Sequence, residues 1–238
     1  MKLTKLKSFK PYTKGSLDNV LEIGDQHEPF SLDGYLEFCR EQQEKYKCAR
    51  VHFVADHIDG HGMSYHEHDP DGMSTGDETC LALERLKAWF NTFPVATSNF
   101  GNHCILAYRK MKTAGISKIF AKDFKTVIGA PKTWNFANHH VINNVFYTHG
   151  TGVSGEGGAM KIAQQNRMSS CIGHLHSVSN IRFSASYKDL IWAKTVGCGI
   201  DNKAYAFEYG KDFVAKPIIN CGVTLERGRV PLLIPMNL

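Results

Sequence analysis

Five short polar clusters each follow a run of apolar residues: G-D-Q-H at 24–27, A-D-H-I-D at 55–59, G-N-H at 101–103, T-H-G at 148–150 and G-H-L-H at 173–176. They offer carboxylate, imidazole and carboxamide groups without a thiolate, a donor set that suits Mn²⁺, Fe, Zn²⁺ or Mg²⁺. Burying carboxylates and imidazoles is costly without partners, so a fold that gathers these clusters needs positive charge among them. A pair of divalent cations would supply it. Alternation along a strand exit sets Asp25 and His27 on one side, facing one cation, and the two carboxylate oxygens of Asp56 can bridge a pair. Any one of these residues alone is more often solvated or structural; the argument rests on all five clusters together.

In this order the clusters resemble the calcineurin-like metallophosphoesterase family, whose pattern is D-x-H, G-D-x-x-D, G-N-H-[DE], a lone His and G-H-x-H. The resemblance spans Gly24 to His176, with two departures: Ala55 where the second motif usually has Gly, and Cys104 where the third usually has Asp or Glu. The H-G-T-G-V-S-G stretch and the Pro131 to Trp134 segment resemble versions carried by viruses of bacteria. The resemblance implies an α/β fold of two packed β-sheets flanked by helices. It implies two divalent cations, Mn²⁺ first among the candidates, with Asp25, His27, Asp56 and His176 on one and Asp56, Asn102, His149 and His174 on the other. A water between them would attack phosphorus without a covalent enzyme intermediate. His103 then corresponds to the residue that protonates the leaving oxygen, and Asp59 to the acid that orients it. Cys104, lacking a carboxylate's charge, would leave the His103 pKa lower than the family's usual value.

The 238 residues suffice for one large α/β domain, the division expected here, and 42% hydrophobic with 21% charged residues is ordinary globular composition. No apolar run approaches the ~20 residues that cross a bilayer, and the basic start lacks a signal peptide's apolar stretch, so the expectation is a cytoplasmic protein without membrane contact, in the host cytoplasm if viral. Seven cysteines without a C-x-x-C pair fit reduced thiols better than disulfides or a structural zinc. The net charge of +5 favours a phosphate-bearing partner, with the excess expected to be spread thinly.

The elements that must position the clusters alternate at first. Strands are expected at 19–23, 50–54 and 95–99, helices at 32–46 (capped by Ser31) and 77–93, and shorter helices at 105–112 and 120–128. A strand at 141–147, a helix at 157–168 and a strand at 170–172 follow; β runs are then expected at 181–185, 190–196, 204–209, 218–225 and 230–235. Ligands from successive strand ends would converge on one edge. His57, His61, His66 and His68, with Glu67 and Asp69, read as a hydrated rim loop rather than a third metal site. The G-T-G-V-S-G run at 150–155 reads as a tight turn, since the acid that a dinucleotide fold wants about 20 residues later is replaced by G-H-L-H. Pro29 and Phe30 shape the turn after the first motif. Arg109, Lys110 and Lys112 read as a solvated helix face, and Trp134 as a packing residue or a base-stacking one.

The function so implied is hydrolysis of phosphate esters of a nucleotide or nucleic acid. A protein phosphatase is disfavoured because Gly60 and His61, not a basic residue, follow Asp59. A non-catalytic metal-bound scaffold is the alternative of another class; it would need neither His103 nor Asp59.

Overall fold

The computed structural model describes residues 5–65, 69, 71–210 and 212–238, the side chains of 208–210 excepted. A six-stranded sheet has the order β11-β10-β1-β2-β3-β4. Its strands are β1 (Ser16–Ile23), β2 (Cys48–Phe53), β3 (Thr97–Asn99), β4 (Asn135–Ala137), β10 (Asn220–Leu225) and β11 (Val230–Pro235). β1 to β4 run parallel, and β10 and β11 close one edge antiparallel. The second sheet, order β5-β6-β7-β9-β8, contains β5 (His139–Ile142), β6 (Val145–Thr148), β7 (Ser169–Ile172), β8 (Asn180–Ala185) and β9 (Leu190–Thr195). The helices are α1 (Tyr35–Lys45), α2 (Thr75–Thr92), α3 (Leu106–Thr113), α4 (Phe124–Val127) and α5 (Gly158–Asn166).

Strand alternation divides the apolar side chains into three layers. Leu21, Ile23, Val51 and Phe53 face α1 and α2, packing with Tyr35, Leu36, Cys39, Leu86 and Trp89. Their neighbours turn the other way: Val20 and Val54 meet Val145, Tyr147, Cys171 and Trp192 between the sheets. Ile191 and Ala193 of β9 join Ala159 and Ala163 of α5 in the third layer. Two packed sheets with helices outside are the architecture the family resemblance implied, because each sheet has one face for its partner sheet and one for helices.

The inter-sheet layer also holds a charged network. Lys194 of β9, fully buried, donates to Glu22 Oε2 on β1 at 3.0 Å, to Thr224 Oγ1 on β10 at 2.8 Å and to the Val223 carbonyl at 3.1 Å. Tyr147 of β6 donates its hydroxyl to Glu22 Oε1 at 3.1 Å. A second buried carboxylate, Glu28, accepts from Arg85 Nε at 2.6 Å, Trp89 Nε1 at 2.7 Å and Ser31 Oγ at 2.7 Å, fastening the chain after the first motif to α2.

Several elements differ from expectation. Residues 141–147 are not one strand: Asn143 (φ 52°) and Asn144 (φ 61°) make a left-handed turn that splits them into the β5–β6 hairpin. Asn tolerates that conformation, and paired positive φ matches the twist of a two-residue hairpin. β4 was not anticipated; its three residues gain strand geometry only by pairing with β3. Residues 205–210 form a 3₁₀ turn instead of a strand, with Ala204, Ala206 and Phe207 buried. A short apolar run does not by itself distinguish the two. α1 begins at Tyr35, after Gly34 at φ 89°, because the Ser31 hydroxyl is committed to Glu28.

Replacing Lys194 by Met would leave the Glu22 carboxylate buried without its cation and should cost about 3–5 kcal/mol. Urea denaturation of Lys194→Met beside a Glu22→Gln/Lys194→Met double variant measures this; the double variant should recover much of the loss.

Candidate metal centre

All five clusters arrive at carboxyl ends of strands. Asp25 and His27 follow β1, Asp56 follows β2 and Asn102 follows β3; His149 follows β6, and His174 and His176 follow β7. These are parallel neighbours within each sheet, so their ends open on one edge of the sandwich. The chain bends sharply there: His27, Asp56 and His174 have φ of 52°, 47° and 67°, and Ala55 has φ 127°. Such conformations cost ~1–3 kcal/mol each and persist only where surroundings impose them. Main-chain bonds impose two here, from His27 N to the Asp56 carbonyl (2.9 Å) and from Glu28 N to that of His57 (2.9 Å).

Asp25 and Asp56 are buried, and imidazoles surround them. Asp25 Oδ2 accepts from the His174 amide at 2.7 Å and lies 3.3 Å from His176 Nε2. Asp56 Oδ2 lies 3.1 Å from His149 Nε2, which also meets Asn102 Oδ1 at 2.9 Å. Asp56 Oδ1 accepts from the His103 amide at 3.0 Å and faces the buried Cys104 thiol at 4.0 Å. Cys104 thus sets a neutral group beside Asp56.

The second nitrogens fix the rings. His149 Nδ1 donates to the Val54 carbonyl at 3.1 Å, and His27 Nδ1 to Asp59 Oδ1 at 2.6 Å, so both present Nε2 to the site. Asp59 therefore orients His27 with its carboxylate. It orients His103 chiefly with its main-chain carbonyl, which accepts from His103 Nδ1, while its carboxylate stands 4.0 Å from that nitrogen.

These donors fit divalent cations. Asp25, His27 and His176 each bring a ligand atom within 4.8 Å of the others, as do Asp25, Asp56 and His149. Among the described residues Asp25 Oδ1 and His27 Nε2, both buried, find no hydrogen-bond partner, which suits atoms kept for a metal. His27, Asp59 and His103 make a third such grouping, one that the hydrogen bonds of Asp59 already engage. His174 belongs to none of these groupings; its ring centroid lies 4.9 Å from that of His149.

Charges follow from the same contacts. Burial works to lower the His149 pKa, but Asp56 and Asp25 outweigh it and hold it at about 9. Burial opposes ionisation of Asp56, and His149 with His103 overcomes it, leaving the carboxyl well below its ordinary value. Asp59 rises to about 6, because burial outweighs the nearby imidazoles of His103, His61 and His176. His103 is raised despite burial, by Asp56 and Asp59, so the surrounding carboxylates govern it even with Cys104 beside it.

Of the expected rim loop, His57 and His61 are buried instead. His57 bridges Gln26 Oε1 (2.6 Å) and Ser98 Oγ (2.7 Å), a support beneath the ligands that the sequence reading missed; its place directly after Asp56 was the available signal. His66, Glu67 and His68 lie outside the described residues. Trp134 is 1% exposed and packs on Phe53 with ring centroids 4.5 Å apart, so it is a core residue. Phe30 is likewise buried, against Tyr205 and Phe207. Gly150, Gly152 and Gly155 all have positive φ, as a tight turn behind His149 requires.

No protein-family model and no curated protein matches the chain. Among solved structures it is similar to Vacuolar Protein Sorting 29 from Cryptosporidium parvum, at 15% identity over 92% of each chain with a TM-score of 0.49. A single mutant of Vps29 from Entamoeba histolytica gives 10% identity over 92% of this chain and 99% of that one, with a TM-score of 0.41. The nuclease MPE from Pseudomonas putida gives 12% identity over 90% and 86%, with a TM-score of 0.36. No described helix is long and apolar enough to cross a membrane.

Two expectations follow. A Cβ at Gly101 would overlap the Asp56 carboxylate, so Gly101→Ala should lower the bound-metal count, read by elemental analysis, with circular dichroism unchanged. A metal bound at His149 would displace the proton that this ring holds below about pH 9. Calorimetric Mn²⁺ titration in buffers of different ionisation enthalpy should therefore show roughly one proton released from His149 near neutral pH, vanishing above about 9.

Proposed function

We propose that this chain is a dinuclear metal-dependent phosphoesterase, acting on a nucleotide or nucleic acid. The observation that carries the reading is the pair of buried carboxylates, Asp25 and Asp56, ringed by imidazoles that turn Nε2 inward, with Asp25 Oδ1 and His27 Nε2 lacking a hydrogen-bond partner among the described residues. Asp25, His27, Asp56 and His176 would hold one cation, and Asp56, Asn102, His149 and His174 the other. Bound there, Mn²⁺ or a similar pair supplies positive charge for the phosphoryl oxygens and acidifies a water for attack.

The chain's own residues set the rest. The Nδ1 bonds of His27 and His149 fix each tautomer, so neither ring has to reorient when its ligand nitrogen is engaged. His103 is held by Nδ1 at the Asp59 carbonyl, which leaves Nε2 free to carry the second proton of the imidazolium, and its side chain is 21% exposed, enough to meet a substrate. Its raised pKa keeps that proton available near neutral pH, as a general acid requires. A cavity of about 290 Å³ opens on His174 and His176, with Phe207 and Asn202 in its lining, and offers room for the group that bears the phosphate.

The test is hydrolysis of aryl phosphates by purified protein with Mn²⁺. Asp56→Asn should abolish turnover and metal binding together. His103→Ala should keep its metals and lose ~10²- to 10⁴-fold in kcat on a poor leaving group, and much less on nitrophenyl phosphate. Normal turnover in Asp56→Asn removes the dinuclear reading; loss of metal in His103→Ala makes that residue a ligand.

A further inference from the structure

The segment from Ile105 to Trp134 carries seven Lys or Arg residues and one acid, Asp123, an excess that exceeds the +5 of the whole chain. The expected thin spread of charge is therefore corrected: this segment and the lysines at 2–14 hold the excess. Among the described residues no carboxylate pairs with Arg109, Lys112, Lys118 or Lys122. α3 and the turn at Lys118–Phe120 line an open groove of about 770 Å³, apolar at Ile105, Tyr108, Met111 and Ile116 and basic at Arg109, Lys112 and Lys118. Beside it, Ile119 and Phe120 are 82% and 81% exposed, and Tyr65 lies under Arg109 and Lys110, at 4.5 and 4.3 Å from its ring centre. A second cavity, about 250 Å³, shares Tyr108 and Met111 with the groove and reaches His103.

We propose that this groove, part basic and part apolar, binds single-stranded nucleic acid and leads the strand to His103. The proposal rests on the phosphoesterase reading for the fate of the strand, but the binding itself does not require it. Exposed apolar and aromatic surface accepts unstacked bases, while separated cations track a phosphate backbone; a duplex hides its base faces and could use only the cations. The shared lining with the His103 cavity favours a strand over an acidic protein or an anionic lipid surface, since a flexible polyanion can both lie in the groove and enter the site.

The test is fluorescence anisotropy of a labelled oligodeoxynucleotide of about 20 residues with the full chain, in EDTA so that the strand is not cut. The single strand should bind more tightly than its duplex, with a salt dependence that reflects released counterions. The Arg109→Glu/Lys112→Glu/Lys118→Glu variant should bind at least ~10-fold more weakly, and its log-log salt slope should fall by about 2, near 0.7 for each lost phosphate contact. Circular dichroism checks that it folds; should it not, Arg109→Gln/Lys118→Gln is measured the same way, with the same direction expected. Equal binding by folded variant and wild type, preference for the duplex, or displacement of the strand as readily by a polyglutamate peptide or phosphatidylserine vesicles overturns the proposal. Because binding is read without turnover, absent binding with intact aryl phosphate hydrolysis defeats the groove alone. Binding without hydrolysis defeats the enzymatic reading alone.

Discussion

Two carboxylates buried side by side at the join of two sheets set the terms for this molecule. Asp25 and Asp56 are shut off from water, and a pair of unscreened negative charges is untenable there without cations close by. The imidazoles supply part of that charge, among them His149, raised to about 9, and His103, also raised. Much of the local backbone answers to the same pair. Gly101 and Gly173 lack side chains because a Cβ at either would run into an Asp carboxylate, and the sharp left-handed turns at Asp56 and His174 keep the ligand-bearing loops tight against the strand ends.

Convergence of loops from two sheets demands that the sheets themselves hold a fixed relation. Apolar contacts between Val20, Val54, Val145 and Trp192 fill the space but are tolerant of sliding. The Lys194–Glu22–Thr224–Tyr147 network is directional, and its four side chains come from both sheets. Displacing one sheet would strand a buried charge. We regard this network as the register pin that keeps His149, His174 and His176 opposite Asp25, Asp56 and Asn102.

Within the site, the role open to each histidine follows from which nitrogen is already engaged. His27 and His149 are tied by Nδ1 to fixed acceptors, so their free nitrogens turn toward the carboxylates. His103 is tied in the same manner, but it stands partly exposed and its main-chain amide, rather than its ring, contacts Asp56. Ring chemistry is identical in all three. Position relative to the carboxylates and to solvent is what distinguishes them.

That the five polar clusters would gather at strand ends was legible in the sequence, because each couples an apolar strand to residues with few other reasons to lie together, and the succession of alternating β and α segments followed by β runs foretold the layers. What sequence could not decide depended on partners distant along the chain. β4 exists only through β3, the Asn143–Asn144 turn looked like continuous strand, and residues 205–210 took a 3₁₀ turn over Phe30. His57 read as rim and proved to be a buried brace, and Asp59 gave its carboxylate to His27 rather than to His103. Residue type and spacing determine which groups can bind metal; which acceptor faces each ring nitrogen is settled only when loops from separate strands pack together, since a hydrogen bond depends on distance and direction in space.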